Sequence, residues 1–320
     1  MINILYVFDD NYAPHAGVSI TSLLFHNRQG RNELLRIFCT AMTLSEENRS
    51  RLESLAAEYG QTLSFIDPQK SIDYIESCET GFWNGSKATW LKVFCLWELP
   101  EDVDKILYID SDTLITGEIA EIEAFSLGDA PLAMAYDSLG NTNGKKNFGL
   151  SEYRNAGVIL FSVTAWRNTS FREAFIKHFR ENVKRYKDNE QGLLNDFFRG
   201  RIALLPFRLN RQGFLMLYDE AIYRSVYDDF PFYSNEEIRS AKEAPVICHF
   251  FRIFGDYPWE SGNLHPDASL YEAWRAKSLW KDVPRPEAPK KSIVFRIEKL
   301  LFKLLPRKAF LRLYRWIVER

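Results

Sequence analysis

Cysteine is scarce in this chain: four in 320 residues (Cys39, Cys78, Cys95, Cys248), widely scattered and without a C-x-x-C pair. That spacing indicates neither a zinc site nor a disulfide framework, and it makes a reducing, cytoplasmic setting the expectation. No apolar run approaches the roughly eighteen residues that a membrane-spanning helix needs. The opening Met1–Asp10 lacks a basic region and meets acid at Asp9, so it reads as a first buried strand and not as a signal peptide. There is no internal repeat and no low-complexity tract. Net charge is nearly absent as well, at −2 from 41 Lys+Arg and 43 Asp+Glu. That near-zero hides a split: residues 290–320 hold ten basic and two acidic residues, a net of +8, which leaves −10 for 1–289. An acidic body with a basic tail suggests an anionic partner for the tail. What is present, 46% hydrophobic and 26% charged residues, is ordinary for a globular protein and excludes disordered and collagenous classes.

Strand-like and helix-like segments alternate through the first 110 residues. Ile2–Phe8, Leu34–Thr40, Thr62–Ile66 and Lys105–Ile109 read as strands. Helices are expected over His15–His26 after Pro14, from a Ser45 cap to about Tyr59, and over Trp90–Leu99 before Pro100. This rhythm predicts an α/β fold with a mainly parallel sheet and helices on both faces. Asn155–Phe161 and Val246–Phe251 read as later strands, Ser170–Tyr186 and Glu190–Phe198 as helices. Ligands of such sheets sit beyond the carboxyl ends of the strands, where Asp9 and Asp110 both fall.

The segment Ile106–Leu114 carries the densest chemical signal. An apolar strand delivers Asp110 and Asp112, one residue apart, to the sheet edge. Such a pair can hold a hard divalent cation through oxygen, but Asp is also common wherever a strand ends in a turn. Two chemistries compete. In one, the carboxylates bind a metal that clamps the diphosphate of a nucleotide-sugar. In the other, D-x-D-x-T-L opens a haloacid-dehalogenase-like phosphatase, with Asp110 as nucleophile. The phosphatase reading suffers from the motif's late position and from a following acidic pair, Asp228–Asp229, set in a polar, Tyr-rich segment.

Several segments together resemble glycosyltransferase family 8, the retaining nucleotide-sugar transferases of GT-A fold. They are Val7–Tyr12, Ser86–Lys92, the D-x-D region with Gly117–Ile119, Tyr153–Val158, Glu190–Asn195, Pro206–Asn210, and His249–Phe250 with Gly255 and Pro258–Trp259. Each is weak alone; their shared order over residues 1–260 carries the likeness. The resemblance implies that Asp9, Asn11 and Tyr12 read uracil and ribose, and that Asp110, Asp112 and His249 coordinate a metal. Mn²⁺ is the expected ion and Mg²⁺ the alternative, because a mixed carboxylate and imidazole set suits Mn²⁺. It further implies a substrate-binding role for Lys92, Ser111 and Gly255, and a donor-sugar pocket of Asp137, Asn155, Ala156, Glu190 and Gln191. Gln191 falls at the sugar's β face, where a double displacement needs a carboxylate; an amide there favours front-face attack. Glu190 and Asp137 are the other catalytic candidates. The chain departs from the family pattern at Lys92 (usually Arg), at Glu190 and Gly192 (usually Asp), and at Tyr257, which stands where a lysine is usual.

Residues 284–289 read as a Pro-rich linker between a catalytic domain, 1–283, and a tail, 290–320. In the tail, Ile293, Ile297, Leu300, Leu301 and Leu304 form one helical stripe. After Pro306, Phe310, Leu313, Tyr314 and Ile317 form a second, with cations on the other faces. This pattern suits an anionic membrane surface, and it equally suits a hairpin packed on the acidic body. The acidic body and the lack of a recognised binding motif argue against nucleic acid. The expected activity is transfer of a hexose, glucose or galactose, from a UDP-sugar to a glycan, glycolipid or glycoprotein acceptor at the cytoplasmic membrane face. The rival is a non-catalytic nucleotide-sugar-binding scaffold, against which the intact Asp110/Asp112/His249 set argues.

Overall fold

The computed structural model describes residues 1–27, 35–81, 86–137, 140–226, 233–285 and 291–318. Asp228–Asp229 and residues 286–289 of the Pro-rich segment lie outside the described residues. Strand β1 (Ile2–Phe8) sends Ile4, Tyr6 and Phe8 into one hydrophobic cluster and Leu5 and Val7 into another. It is therefore covered on both faces, which is what a near-continuous apolar run demands. It pairs in parallel with β2 (Leu35–Ala41) and β4 (Lys105–Ile109), and β3 (Leu63–Phe65) adds in parallel to β2. With β6 (Leu132–Tyr136), β7 (Arg154–Ser162) and β8 (Ile202–Leu204), the sheet runs β3-β2-β1-β4-β7-β6-β8. Among these strands β7 is the one that opposes its neighbours. The expected mixed, mainly parallel sheet is what forms.

A second sheet is small: β5 (Thr113–Ile115), β10 (Ile247–His249) and β9 (Arg211–Gln212), in the order β5-β10-β9. Strands β5, β6, β8 and β9 escape a sequence reading because they are two to five residues long and lack an alternating pattern. Two helices are also shorter than read. The segment expected as Trp90–Leu99 is an α-helix Ala88–Phe94 that tightens into a 3₁₀ turn, Cys95–Glu98; Pro100 cannot continue a helix and constrains the residue before it. Ser170–Tyr186 divides likewise into Thr169–Asn182 and a 3₁₀ turn, Val183–Arg185. The Ser45 cap is as expected: its side chain accepts from the Asn48 amide at the start of Glu46–Glu58, and Gly60 closes that helix with φ +67°.

The tail forms helices Ile293–Leu304 and Arg307–Val318, broken at Pro306. Phe302, Phe310 and Leu311 are buried in a cluster with Phe214, Tyr218 and Phe254 of the body, and Leu301 and Tyr314 pack against it. The other half of the apolar stripe faces outward. Ile293, Ile297, Leu300, Leu304, Trp316 and Ile317 are between 46% and 69% exposed. The hairpin thus has two apolar sides, one docked and one open. Among the described residues, no helix is long and apolar enough to cross a membrane.

Candidate active site

Topology alone gathers the site. β1 and β4 are adjacent and parallel, so Asp9 and Asp110 leave the sheet at the same edge. β6 runs the same way as β4 and delivers Asp137 there. β7 runs the other way, so its first residues, not its last, reach that edge: Asn155 and Ala156 arrive beside Asp110, whose amide donates to the Gly157 carbonyl at 2.8 Å. His249 is 137 positions beyond Asp112 in sequence. The antiparallel β10–β5 pairing sets it opposite Thr113, and the Phe250 amide donates to the Asp112 carbonyl at 2.9 Å.

These ends line one cavity of about 500 Å³, within the size range of small-molecule sites. Of the residues singled out from the sequence, Asp9, Asn11, Tyr12, Lys92, Asp110, Ser111, Asp112, Asp137, Asn155, Ala156, Glu190, Gln191 and His249 all border it. Gly255 does not. Its φ is +78°, its carbonyl accepts from Lys291 Nζ at 2.6 Å, and Phe295 of the tail covers the space a Cβ would take. The glycine serves the close approach of the tail.

The metal-ligand candidates fit a divalent ion. One donor atom each from Asp110, Asp112 and His249 lies within 4.8 Å of the others. His249 Nε2 faces Asp112 Oδ1 at 3.5 Å and Asp110 Oδ2 at 3.8 Å, while Nδ1 is turned to Asn210. Asp110 divides its oxygens. Oδ1 accepts from Lys92 Nζ at 3.1 Å and from the Tyr108 hydroxyl, which leaves Oδ2 toward His249. Gly157 makes room for the imidazole, because a Cβ there would lie 1.9 Å from His249 Cε1.

Lys92 is 2% exposed and is wedged between Asp110 and Glu190, the latter at 2.9 Å, with the Ala156 carbonyl at 3.2 Å. Burial alone lowers an ammonium pKa; the two carboxylates outweigh it and push the Lys92 pKa up to about 12. The cation is thus an internal counter-charge that orients two acids at the edge of the cavity.

Across the cavity, Gln191 is tied at both ends. Its Oε1 accepts from the Ala156 amide at 2.9 Å and from Asn155 Nδ2 at 3.2 Å, and its Nε2 donates to Asp137 Oδ2 at 3.1 Å. Asn189, which starts this helix, holds φ +53°, and such backbone strain concentrates at functional sites. Sequence reasoning missed Asp188, although it borders the cavity. Its Oδ1 lies 2.3 Å from where a Gly192 Cβ would stand, so its carboxylate fills the room left by the absent side chain. The signal was an acid two residues before Glu190. Tyr257, which stands where the family pattern has a lysine, and nearby Arg252 belong to the site as well. Both border the cavity, with the guanidinium 4.8 Å above the Tyr257 ring. Ser111 Oγ, Asp188 Oδ1 and Glu190 Oε2 are buried with no hydrogen-bond partner. Unpaired polar atoms on residues that line a cavity suit a polar ligand.

The family model described as Glycosyl transferase family 8 matches residues 3–261. The chain belongs to glycosyltransferase family 8. It is 23% identical over 299 residues to General stress protein A of Bacillus subtilis (strain 168), spanning 89% of this chain and 97% of that protein. It is 24% identical over 298 residues to the lipopolysaccharide 1,2-glucosyltransferase of Escherichia coli (strain K12), spanning 88% and 79%. The crystal structure of galactosyltransferase LgtC in complex with donor and acceptor sugar analogs superposes with a TM-score of 0.70 at 21% identity, covering 88% of this chain and 99% of that one. The fold is GT-A, and the family 8 enzyme is a hexosyltransferase with an Asp-Asp-His site suited to a divalent metal.

Proposed function

We propose that the protein is a Mn²⁺-dependent retaining transferase that moves glucose or galactose from its UDP-sugar to a cell-surface glycan, glycolipid or glycoprotein acceptor. The observation that carries this is the meeting of Asp110, Asp112 and His249 with the Asp137/Asn155/Gln191 network in one cavity. Asp9, Asn11 and Tyr12, at the end of β1, form the wall for uracil and ribose. Asp137, Asn155, Glu190 and Gln191 position the sugar. A bound divalent cation supplies positive charge against the diphosphate as the anomeric C–O bond breaks.

The wiring favours front-face displacement. Glu190 is buried with its Oε1 on Lys92, and Asp137 Oδ2 is occupied by two amides, which disfavours either carboxylate as the nucleophile. The acceptor hydroxyl then attacks the anomeric carbon on the face from which UDP departs. The carbon–phosphate-oxygen bond breaks, the new glycosidic bond forms, and the hydroxyl proton passes to the departing phosphate oxygen. Gln191 contributes its amide dipole to the cationic sugar.

The location proposed is the cytoplasmic face of the membrane. The outward stripe Ile293, Ile297, Leu300 and Leu304 supports it, because exposed Arg296, Lys303, Lys308 and Arg312 lie on the same hairpin. The test of function is UDP release from UDP-glucose, UDP-galactose and their N-acetyl forms, with and without Mn²⁺. Metal-dependent release from one hexose donor, lost in Asp112→Asn, is expected; release that ignores both metal and substitution would remove the metal role.

A further inference from the structure

The Pro206–Asn210 segment ends on a residue with no assigned role, and its surroundings define one. Asn210 is fully buried. Its Nδ2 donates to Asn155 Oδ1 at 2.8 Å, and its Oδ1 meets His249 Nδ1 at 3.1 Å. Amide orientations are ordinarily ambiguous, but here a backbone group sets the polarity. The Gly157 amide donates to Asn155 Oδ1 at 3.0 Å, so that atom is an acceptor. The Asn210 atom beside it must then be the donor, since reversing Asn210 would set two oxygens against each other. Asn210 Oδ1 is left to accept, and His249 Nδ1 must carry the proton. His249 Nε2, the atom facing Asp110 and Asp112, keeps its lone pair.

We propose that Asn210 is a positioning residue that fixes the metal-binding tautomer of His249 and joins the metal site to the donor-sugar pocket. The proposal rests on the reading of His249 as a metal ligand. The joint passes through Asn155, whose Nδ2 holds Asp137 Oδ2 and Gln191 Oε1, each at 3.2 Å. Partners of this kind fix ligand orientation as well as tautomer. One buried amide therefore serves both halves of the site: its acceptor end orders the imidazole, and its donor end holds the side chain that aligns Gln191.

The test uses the full chain and Mn²⁺ titration by calorimetry, together with the ring ¹⁵N signals of His249 in the metal-free protein at alkaline pH. Wild type is expected to show the Nδ1–H tautomer; a ground state with the proton on Nε2 overturns the proposal. Asn210→Leu, which removes both hydrogen bonds, is expected to weaken Mn²⁺ binding about 10- to 100-fold. Asn210→Asp keeps an acceptor for Nδ1–H but sets an oxygen against Asn155. It is expected to retain Mn²⁺ affinity within roughly threefold while raising the donor KM by about tenfold, the cost of one misplaced buried hydrogen bond. Folded Asn210→Leu with wild-type affinity overturns the proposal, as does Asn210→Asp with an unchanged donor KM. If Asn210→Leu does not fold, the tautomer and the Asn210→Asp arm still decide. His249→Ala separates the two readings: unchanged Mn²⁺ affinity there removes the metal assignment itself, whereas loss there with none in Asn210→Leu removes the role of Asn210 alone.

Discussion

At Gly157 the chain has no room for a side chain, because the His249 ring occupies the space of its Cβ. Gly157→Ala must displace the imidazole or shift β7. The expected outcome is a loss of about 1–3 kcal/mol from overpacking and loss of metal-dependent UDP release, checked by thermal unfolding and by the release assay. Asp188 is a second single-residue case. Burial, reinforced by Glu190 and Asp137, raises its pKa to about 6 from an ordinary 3.8. A carboxyl raised on folding is a source of instability that is fully present above about pH 6 and fades as pH falls toward 4. Asp188→Asn is therefore expected to raise stability at pH 8, by at most about 3 kcal/mol from the size of the shift, and to change it little at pH 4. Denaturant unfolding at both pH values checks the sign, and equal effects at the two would refute it. The Asp-x-Asp pair was legible in sequence because adjacent polar residues ending an apolar strand stand out. Asp188 was not, since its importance comes from a glycine four residues away.

At the scale of the element, the turn into the helix Asn189–Phe197 aims two side chains. With Asn189 at φ +53° and 2% exposed, Glu190 turns toward Lys92 and Gln191 toward Ala156. A β-branched residue at positive φ is a conformational outlier. Asn189→Val is expected to cost about 1–3 kcal/mol and to raise the donor KM. Asn189→Gly, which tolerates the conformation, should keep the donor KM much nearer wild type. Comparing the two variants separates backbone strain from loss of the amide's 3.4 Å contact with Thr89. The strands and helices with long apolar patterns or clear caps, such as Ile2–Phe8 and the Ser45-capped helix, were readable from sequence. The short strand β10 was read from its apolar residues, but its partner β5 was not, and that pairing is what brings His249 to Asp112.

At the scale of the whole molecule the tail is the question. Its Phe302, Phe310 and Leu311 are core residues, and Lys291 and Lys299 close on Asp256, in the loop between Arg252 and Tyr257. Removing 291–320 would therefore uncover the body and loosen a cavity wall, so it cannot isolate membrane binding. Substituting the outward stripe can. Ile297→Ser with Leu300→Ser and Leu304→Ser is expected to abolish sedimentation with anionic vesicles while UDP binding and unfolding temperature stay near wild type. Wild-type sedimentation by that variant would reject the membrane proposal. Phe310→Ala, by contrast, should cost about 3–5 kcal/mol, as read from denaturant unfolding. The −10 body and +8 tail are joined by these ion pairs as well as by apolar contact, so the charge split seen in composition is partly spent within the molecule.

The sequence by itself determined what short-range pattern can carry. It specified apolar strands that must be covered on both faces, helix caps, the paired aspartates at a strand end, and an amphipathic tail. These depend on neighbours within a few residues. Only the tertiary structure decided which distant groups meet. The reversal of β7 sets Asn155 beside Asp110, and the pairing of β10 with β5 delivers His249. Lys92 is turned inward between two acids, and one apolar side of the tail is assigned to the body. Those outcomes follow from strand order and packing, which no local spacing encodes, and the chemistry of the site exists only where they converge.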